Sequence, residues 1–470
     1  MSASRKRPAG SKRRDMPASP TYSGRRLAFD VLTAWQQRGV FANRVLDDLC
    51  RGRCVAGSDR ALGMELSYGV IRRQATVDAV LKAFVDRPPS SIETGLQTLL
   101  RLGAYQLLLM DGVPPHAAVN ETVEVAKQLR RPEWGAVVNG VLRALSGAVS
   151  ETDATTPAED RVPIDAHRSR QLDRAVFPSP EKARVEYFVK AHSYPRWLIR
   201  DWISRFGAAE AARLCFWFNA PHPPALRVNR LRQTPEVVRD VLQAAGAAAE
   251  PGRWPESLLL GKSVRIHDLP GFAEGWFSVQ DESSMAAGRL LDPRPGESIL
   301  DLCAAPGGKT THLAELMGDR GSIVAVDTDA VRLQRVLENT HRLGLSCIEC
   351  LPIDLDGGNI PTGPFDRILV DVPCSNTGVL AKRPEARWRI DPEDFTELTD
   401  TQARLLGQAL DRVKPGGCVV YSTCSIDPRE NHDVVERVVA GRIDVSLQQE
   451  IEHQPGRPGD GGYQALLRRV

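Results

Sequence analysis

The sequence predicts a multidomain protein with an all-α domain first, a small α+β domain in the middle and an α/β, Rossmann-like domain last. Three observations predict this order. Apolar residues recur at helical spacing over 22–147, helical and short strand patterns mix over 181–276, and strands alternate regularly with helices over 277–470. A chain of 470 residues is also too long for one hydrophobic core.

The composition is that of an ordinary globular protein, with 42% hydrophobic and 26% charged residues. No apolar run is long enough to span a membrane, and nine cysteines at irregular spacing do not indicate a disulfide framework. We therefore expect a cytoplasmic, monomeric protein. Residues 1–21 form a basic tail that we predict to be disordered, either as a solubilising extension or as an RNA-contacting arm. The rest of the chain is slightly acidic, so any polyanion must bind a local patch.

The all-α prediction for 22–147 depends on apolar spacings such as Leu27, Val31 and Trp35. The arginine pairs at 72–73 and 130–131 are interpreted as solvated surface. Residues 148–180 lose this periodicity and are rich in Ser, Thr, Asp and Pro, which predicts a linker.

The middle domain, 181–276, is predicted to be a small RRM-like or ferredoxin-like module. A helix is expected from Pro195 to a stop at Gly207, a strand at 225–229, a helix at 235–245, and strands near Leu258 and Val264. Aromatic residues in the first helix are those that stack on bases in RNA-binding proteins, but core packing is the commoner role.

The last domain opens on SILDLCAAPGGKT, residues 298–310, after a helix predicted over 278–291. An apolar strand, a loop of small residues and a helix start are typical of a nucleotide-type cofactor pocket, because glycines allow close backbone approach and free N–H groups face the ligand. A phosphate-binding P-loop is excluded, since that motif needs glycine where Cys303 stands.

Three carboxylates follow predicted strands in this domain. Asp327 lies 20 residues after Gly307, which is the position from which a carboxylate holds a ribose. Asp354 and Asp371 end the next two predicted strands. A single such residue is more often a helix cap or turn residue, but three with a glycine loop indicate an adenosine cofactor.

Two cysteines also follow strands, Cys374 in DVPCSNTG (371–378) and Cys424 in STCSIDPREN (422–431). Neighbouring strands would bring both thiols to the cofactor edge of the sheet. The pair Cys347 and Cys350 has no second metal-ligand pair, so we expect no metal. A thiolate beside an adenosine cofactor is suited to methylation of an unreactive ring carbon, because addition at carbon 6 of cytosine makes carbon 5 nucleophilic.

Two resemblances follow from these motifs. The segments FANRVLDDL, DRALGMELSYGVIRR, LRLGAYQLL, VPPHAAVNETVEVAK and VNGVLR resemble the NusB-like RNA-binding domain. DLCAAPGGKT, DVPCSNTG and STCSIDPREN resemble the RNA 5-methylcytosine methyltransferases, and together the two domains resemble the RsmB (Sun or Fmu) family. The resemblance implies S-adenosylmethionine as cofactor and small-subunit (16S) ribosomal RNA as partner.

It also implies a role for each matching residue. Cofactor contacts are expected from Cys303, Ala304, Ala305, Pro306, Gly307, Gly308 and Lys309, with Asp327 on the ribose, Asp354 by the adenine and Asp371 by the methionine end or the target base. In the family the nucleophile corresponds to Cys424, and Cys374 assists product release. The motif RPEARW (383–388) is expected to line the RNA approach or to cap the next helix.

Two alternative functions stay open at this point. One is methylation of transfer RNA, against which the NusB-like domain argues. The other is a catalytically inert RNA-binding assembly factor, which predicts loss of a cysteine or of the glycine loop, although all are present.

Overall fold

The structure is a computed structural model, and it describes residues 22–38, 41–53, 55–88, 91–152, 154–261, 264–354, 357, 359–457 and 459–470. The predicted disordered tail, 1–21, lies outside the described residues. The chain divides into two compact units. One runs to Glu151 and includes Arg170–Val176, and the other contains Thr152–Ser169 and Phe177–Val470.

The first unit is helical, as predicted. Its helices are α1 (Gly24–Arg38), α2 (Ala42–Arg51), α3 (Gly57–Leu81), α4 (Thr94–Leu109), α5 (Pro115–Gln128) and α6 (Pro132–Ala148). Leu27, Val31 and Leu32 are fully buried, in agreement with the helical spacing of the apolar residues. The interpretation of Arg72 and Arg73 as solvated surface is wrong, because both are buried in α3.

Short strands and a long helix occupy the region after α6. The elements are β1 (Val149–Thr152), β2 (Arg161–Pro163), β3 (Ser169–Leu172), α7 (Arg184–Tyr187), a π-helical turn (Phe188–Ser193) and α8 (Arg196–Asn219). The three strands lie within the segment 148–180 that lacks sequence periodicity. The prediction that the first helix stops at Gly207 is confirmed, because Gly207 leaves the helical conformation with a φ of 80° and a ψ of 166°, and a second helical stretch then continues α8 to Asn219. The aromatic Trp202 of α8 is fully buried and belongs to the core.

The middle domain is built on a four-stranded antiparallel sheet in the order β5-β6-β4-β7. Its elements are β4 (Ala225–Val228), α9 (Pro235–Ala244), β5 (Ala249–Pro251), β6 (Ser257–Leu260) and β7 (Phe277–Val279). The predicted strand near Val264 is wrong, since a 3-10 turn, Ile266–Asp268, follows there. The predicted helix over 278–291 begins only at Glu282, because Phe277–Val279 pairs with β4 as an edge strand.

The last domain alternates strands and helices around a seven-stranded sheet. Its elements are α10 (Glu282–Leu291), β8 (Ser298–Leu302), α11 (Gly308–Leu316), β9 (Ser322–Asp327), α12 (Ala330–Leu343), β10 (Ile348–Pro352), β11 (Phe365–Asp371), α13 (Asp394–Arg412), β12 (Val413–Thr423), α14 (His432–Ala440), β13 (Val445–His453) and β14 (Gly462–Arg469). Two 3-10 turns, Pro384–Trp388 and Pro428–Glu430, interrupt the connections.

The strand order β10-β9-β8-β11-β12-β14-β13 locates the site. The first five strands are parallel, and the final hairpin is antiparallel. Both faces are covered, because Leu300 and Leu302 belong to one core cluster while Ile299 belongs to another. The chain winds outward from β8 to β10 and then returns to place β11 on the other side of β8. This reversal opens a crevice at the carboxyl ends of β8 and β11, where ligands bind in open α/β sheets.

Candidate active site

The loop after β8 turns the chain sharply into α11. Cys303 and Gly307 both have positive φ, 62° and 97°, and the loop residues between them include Ala304 and Ala305, which are buried. A Cβ added at Gly308, the first residue of α11, would meet nothing within 4 Å. The loop therefore leaves open space beside a helix start, where backbone N–H groups are available to a ligand.

Asp327 fixes this loop from the end of β9. Its carboxylate is 4% exposed and accepts hydrogen bonds from the backbone N–H groups of Ala305, at 3.0 Å, and Asp329, at 2.9 Å. Asp354 is exposed and lies two residues beyond β10, so the prediction that it ends that strand is wrong by two positions. Asp327 thus holds the loop directly by hydrogen bonds, whereas Asp354 is exposed beyond the end of β10.

An ion pair spans the crevice between β8 and β11. The Nζ of Lys309, on α11, lies 2.8 Å from Oδ2 of Asp371, at the end of β11. Burial disfavours the Lys309 ammonium, but the Asp371 carboxylate outweighs it, and the pKa of Lys309 is raised. Lys309 therefore supplies a fixed positive charge at the switch point of the sheet.

The two cysteines meet at the same edge. The Sγ atoms of Cys374 and Cys424 are 3.1 Å apart, although 50 residues separate them in the chain. The hydrogen bond between the thiols raises the pKa of Cys374 and lowers that of Cys424, since Cys374 keeps its proton and donates it. Arg383 and Lys309 also favour the Cys424 thiolate, against the opposing effect of burial. Cys424 is thus the more readily ionised of the two thiols.

Buried polar groups hold the two cysteine loops together. Glu430 is fully buried and accepts hydrogen bonds from the backbone N–H of Ser375, at 2.8 Å, and from Gln402, at 2.9 Å. Gln402 also donates to the carbonyl of Pro373, at 2.9 Å. Asn376 lies with its Oδ1 3.3 Å from the Cys424 Sγ and 2.8 Å from Arg383 Nη1.

Comparison with known proteins identifies this arrangement. Residues 288–464 match the family model described as 16S rRNA methyltransferase RsmB/F, residues 23–146 match the NusB family, and residues 194–267 match the ferredoxin-like domain of RsmF/B-like methyltransferases. The chain is 37% identical to the probable ribosomal RNA small subunit methyltransferase B of Synechocystis, with 90% of both chains covered. It is 34% identical to ribosomal RNA small subunit methyltransferase B of Salmonella paratyphi B, over 94% of this chain and 98% of the relative.

The chain belongs to the RsmB/F family of methyltransferases.

Solved structures agree with this assignment. The crystal structure of PH0851 has a TM-score of 0.76 at 25% identity, and it covers 96% of this chain and 99% of its own. A methyltransferase homologue from Pyrococcus horikoshii has a TM-score of 0.55 at 28% identity, covering 62% of this chain and all of its own. The predicted fold class is thereby confirmed.

The cofactor of this RsmB/F methyltransferase is S-adenosylmethionine, as predicted. The residues present fit it, because the open space beside Gly308 adjoins the buried Asp327 and a free helix start. When bound, it supplies a methyl group activated on a sulfonium. Among the described residues, no helix is long and apolar enough to cross a membrane.

Asp301 is a buried carboxylate beside the glycine loop that sequence reasoning missed. It is fully buried in β8, and its Oδ2 accepts a hydrogen bond from Thr310 Oγ1 at 2.6 Å, while its Oδ1 has no partner. Burial raises the pKa of Asp301 to about 7, and the hydrogen bond from Thr310 opposes this rise. Its place in DLCAAPGGKT, two residues before Cys303, was the available signal.

The middle domain also contacts α11, which the sequence did not indicate. Arg227, from β4, is fully buried and pairs with Glu315 of α11 at 2.8 and 2.9 Å. The same guanidinium donates to the carbonyl of Gly308 at 2.6 Å and to Thr311 Oγ1 at 2.9 Å. One middle-domain side chain therefore fixes the first two turns of the helix that follows the glycine loop.

The expectation that RPEARW lines an RNA approach is wrong for its central residues. Arg387 is 1% exposed and donates to the Ser193 carbonyl, at 3.1 Å, and to Asn219 Oδ1, at 2.9 Å. Its guanidinium also lies over the Tyr194 ring, 4.1 Å from the centroid. Arg387 thus connects the last domain to α8 and to the π-helical turn before α8.

Proposed function

We propose that this methyltransferase transfers a methyl group from S-adenosylmethionine to carbon 5 of a cytosine in RNA, with Cys424 as the nucleophile. The observation that carries the proposal is the 3.1 Å contact of Cys424 with Cys374, which lowers the pKa of Cys424 at the same sheet edge as the cofactor loop. Two coupled thiols with opposite pKa shifts are suited to two different steps.

The first step forms a covalent bond to the base. The Cys424 Sγ adds to carbon 6 of the cytosine, the carbon 5–carbon 6 double bond opens, and carbon 5 gains the electron density needed to accept the methyl group. The target base must first leave its stack to reach this crevice. Lys309 and Arg383 stabilise the attacking thiolate by their charge.

The second step releases the product. A base removes the proton from carbon 5, the double bond re-forms, and the Cys424 Sγ leaves with the electron pair of the bond to carbon 6. We assign assistance of this release to Cys374, because its proton is shared with the Cys424 Sγ at the start and end of the cycle. Asp371, held 2.8 Å from Lys309, is assigned to the methionine end of the cofactor or to the target base.

The remaining cofactor assignments follow the same geometry. We propose that residues 303–309 contact the cofactor through their backbone atoms, that Asp327 binds the ribose and that Asp354 lies by the adenine. The burial of Asp327 against the loop and the exposed, peripheral position of Asp354 support these roles.

We propose small-subunit ribosomal RNA as the substrate. The support is the match of residues 23–146 to the NusB family and the similarity, over nine-tenths of the chain, to relatives named ribosomal RNA small subunit methyltransferase B. Bisulfite mapping of total RNA from cells with and without the gene tests this point. A change confined to one 16S cytosine supports the proposal, and a change in transfer RNA contradicts it.

Covalent trapping tests the roles of the cysteines. Incubation of the full chain with S-adenosylmethionine and 16S RNA should give a denaturation-resistant protein–RNA adduct with Cys374→Ala, because product release is blocked. Cys424→Ala should give no adduct and no methylation. Cys418→Ala, a half-buried cysteine of β12 away from the pair, is the matched control and should behave as wild type. Adduct formation by the Cys424 variant would overturn the assignment.

A further inference from the structure

A cavity of about 200 Å³ lies beside the cysteine loops, between the middle domain and the last domain. We call it the side cavity. It is lined by Trp217, His222, Pro223, Ala225, Leu259, Leu260, Asp281, Glu282, Lys382, Gly459 and Asp460. None of these residues has a role in the chemistry proposed above.

The side cavity carries carboxylates around a single ammonium. Lys382 Nζ lies 2.8 Å from Asp281 Oδ2 and 2.7 Å from Asp460 Oδ2, and Asp460 is 5% exposed. Glu282 adds a third carboxylate to the lining. Because negative charge exceeds positive charge, the side cavity repels a phosphate group. Lys382 engages Oδ2 of both aspartates, and Oδ1 of Asp281 already accepts from the N–H of Ser283, at 3.1 Å, and from its Oγ, at 2.9 Å. The carboxylate of Asp460 therefore provides the acceptor capacity that remains for a ligand with N–H donors.

One wall of the side cavity is a pair of stacked aromatic rings. The rings of Trp217 and His222 are 3.6 Å apart between centroids and inclined by 20°. The Nε2 of His222 is fixed by the Trp217 carbonyl at 2.8 Å, and the buried indole Nε1 of Trp217 has no hydrogen-bond partner. A flat ring system with N–H donors and an acceptor matches such a wall, and unstacked nucleobases are bound in this manner.

The side cavity is coupled to the reactive thiol through the backbone. The N–H of Gly378 donates to the carbonyl of Cys424 at 3.0 Å, and the N–H of Gly461 donates to the carbonyl of Gly378 at 2.9 Å. A Cβ at Gly378 would lie 2.6 Å from the Gly461 carbonyl carbon, so glycine permits this close approach. Asp460 is therefore adjacent to Gly461, which is linked to the Cys424 backbone through Gly378 by two hydrogen bonds.

We propose that the side cavity binds a guanine base adjacent to the target cytosine in the RNA. This inference rests on the proposed function, because it names a recognition element of the same substrate. Guanine presents two neighbouring N–H donors, N1–H and N2–H₂, which match the two oxygens of one carboxylate. Adenine and cytosine each place an acceptor beside their amino group and so leave one carboxylate oxygen facing a lone pair.

The test uses RNA fragments that contain the mapped target cytosine, with each flanking nucleotide in turn as guanosine, inosine or adenosine. With the wild-type chain, inosine at the recognised position should lower kcat/KM about tenfold, because it lacks the N2 amino group. Adenosine should lower it at least as much. The variants Asp460→Asn and His222→Ala should lose most of this discrimination. Asp240→Asn, an exposed aspartate of α9, is the matched control and should keep it.

Each outcome decides the proposal. Equal rates with guanosine, inosine and adenosine at both neighbours would overturn it, as would a natural target without an adjacent guanine. The inference is also wrong if His222→Ala or Asp460→Asn keeps the wild-type ratio of kcat/KM between the guanosine, inosine and adenosine fragments. A thermal midpoint near that of the wild type shows that each variant is folded. Covalent trapping of the same fragments distinguishes failure of this inference from failure of the proposed function. If the guanine preference is absent but trapping still depends on Cys424, the inference is wrong and the proposed reaction is supported.

Discussion

Arg227→Met is the substitution with the largest effect that the structure predicts outside the cysteines. Arg227 is fully buried and Glu315 is 5% exposed, so the variant leaves an unpaired carboxylate in the interior. Loss of one partner from a buried ion pair costs about 3–5 kcal/mol of unfolding free energy. The Gly308 carbonyl also loses its 2.6 Å donor, so we expect the dissociation constant for S-adenosylmethionine to rise about tenfold.

Two measurements check this prediction on the full chain. Amide hydrogen exchange of α11 in increasing urea reports the local free energy of opening, which is preferable to one global transition in a multidomain protein. Calorimetric titration reports the cofactor affinity. Arg239→Met removes an exposed pair with Asp240 and is the matched control, with an expected cost of about 0–1 kcal/mol.

A double variant separates the buried charge from packing. Arg227→Met with Glu315→Leu removes both charges, so most of the lost stability should return, while the cofactor affinity stays reduced because Gly308 still lacks its donor. An Arg227→Met cost below about 1 kcal/mol would refute the reasoning from burial. An unchanged cofactor affinity would refute the link to the loop.

Three further predictions follow from the site and its supports. Cys424 should react with iodoacetamide faster than Cys374 at pH 7.5, as measured by peptide mass spectrometry, because its pKa is lowered. Burial raises the pKa of Asp301 to about 7 in the fold, whereas the same carboxyl ionises at about pH 4 in the unfolded chain. The free energy of unfolding should therefore fall as pH rises from about 4 to 7, because only the unfolded chain loses the proton in that range. Asp301→Asn should flatten that part of the pH profile of the thermal midpoint. Arg387→Ala should lower the unfolding free energy by about 3 kcal/mol in chemical denaturation, because buried carbonyls and the face of Tyr194 lose their cation.

Local patterns predicted most elements of the last domain. The strand Ser322–Asp327 and the helix Ala330–Leu343 belong to the alternation of strands and helices that the sequence predicts over 277–470, because each pairs a clear periodicity with a marked end. Asp329 caps that helix by accepting from the N–H groups of Val331 and Arg332, at 3.0 Å each. Gly207 ends the first helical stretch of α8, as its position after the apolar pattern predicted. The chain after Val264 forms a turn rather than the predicted strand.

Long-range charge pairing could not be predicted from any local pattern. Arg387 looked like a surface residue of a polar motif, yet its partners Ser193 and Asn219 are about 170–190 residues away in the chain and surround it completely. Arg227 and Glu315 are 88 residues apart, and the residue pattern of neither β4 nor α11 indicates that the two side chains pair. Such contacts depend on which faces of two domains meet, and sequence periodicity reports only that a face is buried.

By itself, the sequence determined the order of fold types, the glycine loop between a strand and a helix, and the presence of two cysteines after strands, because these follow from spacing along the chain. Only the tertiary structure decided which groups act together. The switch in strand order between β8 and β11 brings Lys309 to Asp371, and the adjacent β11 and β12 bring Cys374 to Cys424. The difference in thiol pKa arises from that contact at 3.1 Å, and a distance between residues 50 positions apart is a property of the folded sheet alone.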